Sequence, residues 1–166
     1  LDYHCDGEFE GAETELIVNG DFFNLLSIDL DGRLQEAITE RLAVEKTDAI
    51  LRGHPLVFDA LARFAGDARR SVTFIMGNHD PGLLFAGVRE VIARRVGGTH
   101  RFLLDGYDFD GVHVEHGMQR EPMRAFDPKR HFRERKGALF LYLPLGSRYI
   151  ISVLNEEKAQ RPYIDK

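Results

Sequence analysis

The chain has 166 residues, 43% of them apolar and 30% charged, with a net charge of −5; this suffices for one globular domain with its own core and argues against binding through a broad basic face, so nucleic acid is not an expected partner. Its one cysteine, Cys5, allows neither an internal disulfide nor a thiolate zinc site, which fits a reducing compartment, and the cytoplasm is the expected location. The apolar run Ala138 to Leu154 is interrupted by Pro144, Gly146 and Arg148, so no membrane span is expected, while peripheral membrane contact stays open.

In chain order, TELIVNGD (Thr14 to Asp21) runs through β-branched and apolar residues into a glycine and an aspartate, the pattern of a buried strand with a polar end. Leu34, Ile38 and Leu42 then fall on one helical face, and Val57, Leu61 and Phe64 on another, with Pro55 placed as a first helical residue and Gly66 as a stop. SVTFIMGNHD (Ser71 to Asp80) repeats the strand pattern and ends in Asn78, His79 and Asp80. A third helix is expected from Pro81, carrying Leu84, Val88, Val91 and Ile92 inward and stopping at Gly97. GVHVEHG (Gly111 to Gly117) is the third such strand and ends at His116. His113 lies within it between Val112 and Val114 and reads as a partly buried strand histidine. His54 sits at a helix start and His100 at a loop or strand entrance, neither with a chemical role. Arg120, Arg124, Arg130 and Arg133 form a basic segment that reads as a solvated helix face; folded over a crevice, it could hold a second phosphate or an acidic group.

Strands alternating with helices predict a layered α/β domain with much parallel pairing, in which ligands bind at the carboxyl ends of the strands. Each polar strand end also has a local explanation. Asp80 before Pro81 suits a helix N-cap, and Gly20 with Asp21, or Gly77 with Asn78, suits a turn. All three strands, however, end at the same point in groups that bind metals or move protons. Carboxylate, amide and imidazole donors without thiolate suit manganese, iron or zinc, and two such ions favour phosphoester hydrolysis by activating water and stabilising the charge of an in-line displacement.

The ordered set NGDFF, MGNHD and EHG, each at a strand end, resembles the calcineurin-like metallophosphoesterase superfamily. The resemblance implies two mixed β-sheets packed face to face between outer helices, two divalent ions, and hydrolysis of a small-molecule phosphoester or pyrophosphate by metal-bound hydroxide. It implies that Asp21 bridges the two metals, that Asn78 ligates the second metal and contacts the phosphate, and that His116 is a further ligand of that metal. His79 would protonate the leaving group, with Asp80 orienting it.

Departures from the family pattern carry expectations of their own. Asn24 stands where a second aspartate is common; it can hydrogen-bond but carries no charge. Asp2 and His4 have the aspartate-x-histidine spacing of the family's first motif, but only Leu1 precedes them, and they read instead as the end of a helix. The closing glycine-histidine-x-histidine motif is missing, since Phe132 and Arg133 follow His131. The chain also begins at Leu1 rather than methionine. The expectation is therefore a single domain over residues 1–166 that lacks its first strand and motif and its last metal-binding motif, and is inactive alone. The alternative is a catalytically inactive scaffold of the same fold that binds protein partners.

Overall fold

A computed structural model describes residues 1, 7–30, 35 and 37–161, without the side chains of 158–160. Its centre is a parallel three-stranded sheet: Thr14–Asn19 (β1) pairs with Arg70–Ile75 (β2), which pairs with Thr99–Leu103 (β3). Period-two alternation sorts the side chains between the two faces. Val72 and Phe74 are fully buried in the main core, Leu16, Val18 and Phe102 pack against it, and the rings of Phe74 and Phe102 stack at 5.4 Å. The opposite face mixes Glu15, Thr73 and Arg101 with Ile17, Ile75 and Leu103. There the Glu15 carboxylate accepts hydrogen bonds from Thr73 and from the hydroxyl of Tyr107 (2.9 Å), and Arg101 donates to the same hydroxyl at 3.2 Å.

The helices connect these strands. Glu40–Gly53 (α1) and Pro55–Ala65 (α2) lie between β1 and β2, and Ala86–Val96 (α3) between β2 and β3. Thr39 caps α1 by accepting from the Leu42 amide at 3.3 Å, Pro55 opens α2, and Gly97 ends α3 at φ 63. Two expectations shift. The helix around Ile38 begins only at Glu40, because Thr39 is extended and the Ile38 carbonyl accepts from the Leu141 amide at 2.9 Å; Leu34 lies outside the described residues. Pro81–Leu84 forms a separate 3-10 turn, so Pro81 does not open α3 and Leu84 is not part of it.

Beyond β3 the chain forms two antiparallel hairpins, Gly106–Phe109 (β4) with Val112–Glu115 (β5), and Phe132–Arg135 (β6) with Ala138–Leu141 (β7). The third of the strands with a polar end thus pairs with its own neighbour rather than joining the parallel sheet. Its short loop at Asp110 and Gly111, both at positive φ, is a hairpin connection and too short for a crossover. His113 is exposed, not partly buried, and pairs with Asp108 at 2.7 Å and Glu115 at 3.4 Å. Leu145–Tyr149 (α4), a π-helical turn Ile150–Leu154 and Asn155–Gln160 (α5) make one helical run. Its inner side packs Ile150 and Ile151 into the core, and Asn155 donates to the carbonyl of Leu26 at 3.1 Å. No helix among the described residues is long and apolar enough to cross a membrane.

Lys46 on α1 is fully buried, and its ammonium has no hydrogen-bond partner among the described residues. Burial pulls its pKa down to about 8, with the charge of Asp29 opposing the shift. Since the folded pKa lies below the unfolded 10.5, the lysine's contribution to stability is full above 10.5 and is lost as pH falls to about 8. Lys46→Met should therefore melt above the wild type near neutral pH, by ~2–8 °C. The gap should narrow as pH rises past 8 towards 10.5. Thermal melts across that range check this; a gap that does not depend on pH would show that the lysine is solvated.

Candidate functional site

The parallel register sets Asn19 opposite Ile75, so β1 and β2 end together and the loops 20–24 and 76–80 run side by side. Two glycines permit that approach. A Cβ on Gly20 would strike the His116 ring and lie 2.9 Å from the Gly77 Cα, and one on Gly77 would collide with the side chain and backbone of Asp21. Asp21 (φ 53) and Asn24 (φ 49) both occupy left-handed backbone, which non-glycine residues seldom adopt and which concentrates at functional sites.

The Asp80 carboxylate holds the first loop in place. It is buried and accepts from three successive backbone amides, Phe22 at 2.9 Å, Phe23 at 3.0 Å and Asn24 at 2.9 Å. Burial, and secondarily the charge of Asp21, push its pKa up to about 6 against the pull of these three amides. Asp80 makes no side-chain cap to the 3-10 turn that follows it, so the N-cap reading is overturned: the amides it satisfies belong to another loop.

Around Asp21 the site assembles as follows. One carboxylate oxygen, Oδ1, accepts from the His79 backbone amide at 2.8 Å, and the other, Oδ2, lies 3.4 Å from His116 Nε2. His116 Nδ1 is 3.0 Å from the carbonyl of Asn19, which can only accept, so the neutral ring carries its proton on Nδ1 and turns the Nε2 lone pair inward. Asn78 Oδ1 stands 3.3 Å from that same Nε2. Three electron-pair donors thus converge: an imidazole nitrogen, an amide oxygen and a carboxylate oxygen. Without a cation or an added proton between them they face one another unfavourably. The separations of 3.3 and 3.4 Å match the edges of a coordination shell with bonds of ~2.1 Å, and a ring whose far N–H is held by a backbone carbonyl is a common metal-ligand arrangement. The donors fit one divalent ion. Among the described residues no group of three or more His, Cys, Asp and Glu side chains could hold a metal; this set has two, plus the amide. Asp2, His4 and Cys5 lie outside the described residues.

His79 lies beside this cluster. Its Nδ1 donates to Asn24 Oδ1 at 2.7 Å, and the Ser27 hydroxyl donates to the same oxygen at 3.1 Å. Asn24 thus orients the ring. Asp80 reaches this contact one step back, through the amide of Asn24. Asn19 went unnoticed in the sequence: its carbonyl fixes His116, and its side-chain amide donates to the Glu115 carbonyl at 3.0 Å. The only signal was its place as the last strand residue before Gly20. The arginines after His116 do not form a helix face, since Met118–Arg120 is a 3-10 turn and Phe132–Arg135 is a strand. Arg120 pairs with Glu115 and Arg124 with Glu121.

Asp80→Ala would strand three amides at ~1–3 kcal/mol for each buried donor left unsatisfied, so it should destabilise the fold by about 3 kcal/mol or more. Asp80→Asn keeps an acceptor oxygen and should cost less. Urea denaturation of both variants checks the order; equal, small losses would mean that the loop does not depend on this carboxylate.

The chain matches none of the protein-family models, curated proteins or solved structures with which it was compared.

Proposed function

We propose that the protein hydrolyses a small-molecule phosphoester or pyrophosphate at a two-metal site of the calcineurin-like metallophosphoesterase kind, on a layered sandwich of two sheets. The single observation that carries this reading is the convergence of His116 Nε2, Asn78 Oδ1 and Asp21 Oδ2, with the His116 N–H turned away onto a carbonyl. The parallel sheet β1–β2–β3 and its helices would form one layer of such a sandwich. The single cysteine supports the cytoplasm as its location.

The roles follow from the contacts. Asp21 Oδ2, Asn78 Oδ1 and His116 Nε2 would hold one manganese, iron or zinc ion; remaining donors for a second would come from outside the described residues. Bound divalent ions would supply positive charge for the phosphoryl oxygens and acidify a water. Asp21 can present Oδ2 because its Oδ1 is occupied by the His79 amide. His79 donates Nδ1–H to Asn24, so the proton it passes to a departing oxygen sits on Nε2 of the imidazolium. Asn24 keeps a hydrogen bond to His79 without carrying a charge.

Titration of the 166-residue chain with Mn²⁺ should give one weak site, abolished by Asp21→Asn and His116→Ala and retained by His79→Ala. Unchanged metal binding in folded Asp21→Asn would remove its ligand role, and two tight sites would bring Asp2 and His4 in as ligands.

Any form of the protein that turns over should show a leaving-group dependence at His79. His79→Ala should slow alkyl phosphoesters by ~100- to 10,000-fold, the range for a lost general acid, and nitrophenyl esters far less, since nitrophenolate leaves without a proton. Equal losses across the series, with metal content intact, would sink the general-acid role.

A further inference from the structure

The stretch from Met118 to Leu154 differs from the rest of the chain in charge and in what it exposes. It carries eight Lys and Arg against three Asp and Glu, a local net charge of +5 within a chain of −5. It also holds six large apolar side chains that are exposed: Met123, Leu139, Tyr142, Leu145, Tyr149 and Val153. Exposed apolar residues scattered singly need no explanation, but apart from Leu139, which the register sets beside Glu134 on the other face of its hairpin from Arg133 and Arg135, these follow closely on one another. The Gly146 amide donates to the Met123 carbonyl at 2.8 Å, and a Cβ on Gly146 would lie 3.5 Å from Arg124 Cγ, which sets Met123 and Arg124 beside Leu145. Tyr142 donates its amide to the His131 carbonyl at 2.8 Å, and Arg130 lies over the Tyr142 ring at 4.3 Å.

The helical run 145–160 is amphipathic in an unusual sense. Its inner side, Ser147, Ile150, Ile151 and Asn155, is buried in the domain. Its outer side presents Leu145 (63% exposed), Arg148, Tyr149 (54%), Ser152 and Val153 (41%), and the acidic pair Glu156 and Glu157 marks where this apolar face ends. The neighbouring β6–β7 hairpin adds Arg133, Arg135 and Lys136, all exposed and without an ion pair among the described residues. Aliphatic side chains gain little from a nucleic acid, which offers phosphates and flat bases. A protein interface also favours Arg, Met and Tyr, but it is depleted of Lys, and Leu and Val seldom anchor it, whereas here Lys136, Leu145 and Val153 stand on the surface. Cations beside Leu, Val and Tyr match an anionic bilayer, where headgroups neutralise the charges and the acyl boundary takes the apolar groups.

We propose that this basic and apolar surface, the outer face of residues 145–153 with the β6–β7 hairpin, docks on an anionic lipid membrane. The inner side of the same helix holds the Leu26 carbonyl through Asn155, so the docked element is also one that supports the loop carrying Asn24.

Flotation of the 166-residue chain with phosphatidylcholine vesicles, alone or mixed with phosphatidylglycerol, tests this. Binding is expected only to the mixed vesicles and should weaken at high salt. Arg133→Gln, Arg135→Gln and Lys136→Gln together should weaken it ~100-fold, at about fivefold per cation. Leu145→Gln with Val153→Gln should weaken it at unchanged charge. All these positions are exposed, and circular dichroism confirms the fold of each variant. The proposal is overturned by equal binding to both vesicle types, by no binding to either, or by variants that bind as the wild type does. It is equally overturned if the surface instead mediates a dimer that Leu145→Gln dissolves, or if RNA binds with an affinity that the apolar variants leave unchanged.

Discussion

Three backbone amides ending on one buried carboxylate hold the candidate site together. Asp80 belongs to the loop after β2 and the amides of Phe22, Phe23 and Asn24 to the loop after β1, so this contact ties the ends of two parallel strands. The 22–24 amides can point at one acceptor only if the backbone on either side turns sharply, and the left-handed conformations of Asp21 and Asn24 are where it does so. Each of those residues also supplies a working side chain. Asp21 reaches His116, and Asn24 reaches His79. Removing the carboxylate would therefore loosen the backbone turn and both side-chain contacts together.

The antiparallel hairpin β4–β5 is brought to this tied pair by Asn19, which uses its side chain and its carbonyl to receive Glu115 and His116. The contact requires Gly20, because any side chain there would occupy the space of the His116 ring. A donor from outside the parallel sheet thus enters the site by local hydrogen bonding and close backbone approach. A third parallel strand is not needed. On the other side, the Leu25–Ser27 turn is held by the His79 carbonyl, which accepts from Leu26 at 3.4 Å, and by Asn155 of the C-terminal helix.

Much of this was legible in the sequence where local chemistry decides the outcome. The strands Thr14–Asn19 and Arg70–Ile75, the start of α2 at Pro55 and the stop of α3 at Gly97 depend on alternation, a fixed proline φ and a glycine at positive φ. Asp21, Asn78, His79 and His116 were legible as a group because each closes an apolar run. What escaped depends on contacts distant in sequence. Ile38 fits a helical period, yet it is claimed by Leu141 more than a hundred residues later. Asp80 before a proline looks like a cap, and a carboxylate that caps its own turn cannot be told by spacing from one that serves a neighbouring loop. His113 alternates correctly for a buried face, but the two-stranded hairpin leaves that face open to Asp108, Glu115 and solvent.

The proposed metal ion would act on the electrostatics of the site. The charge of Asp21 disfavours that of Asp80, and the inward Nε2 of His116 faces two oxygens. A proton on that nitrogen would relieve the arrangement only in part, because it can point to one oxygen at a time. A divalent cation between the three donors, as proposed, would satisfy all of them and offset the second carboxylate as well. Binding energy of this kind is also folding energy, since the loops that present the donors are the loops that the Asp80 carboxylate must hold against like-charge repulsion. A metal ion would therefore stiffen the 20–24 and 76–80 loops as well as occupy them, and the ring of His79, held through Asn24, would gain its fixed orientation from the same event.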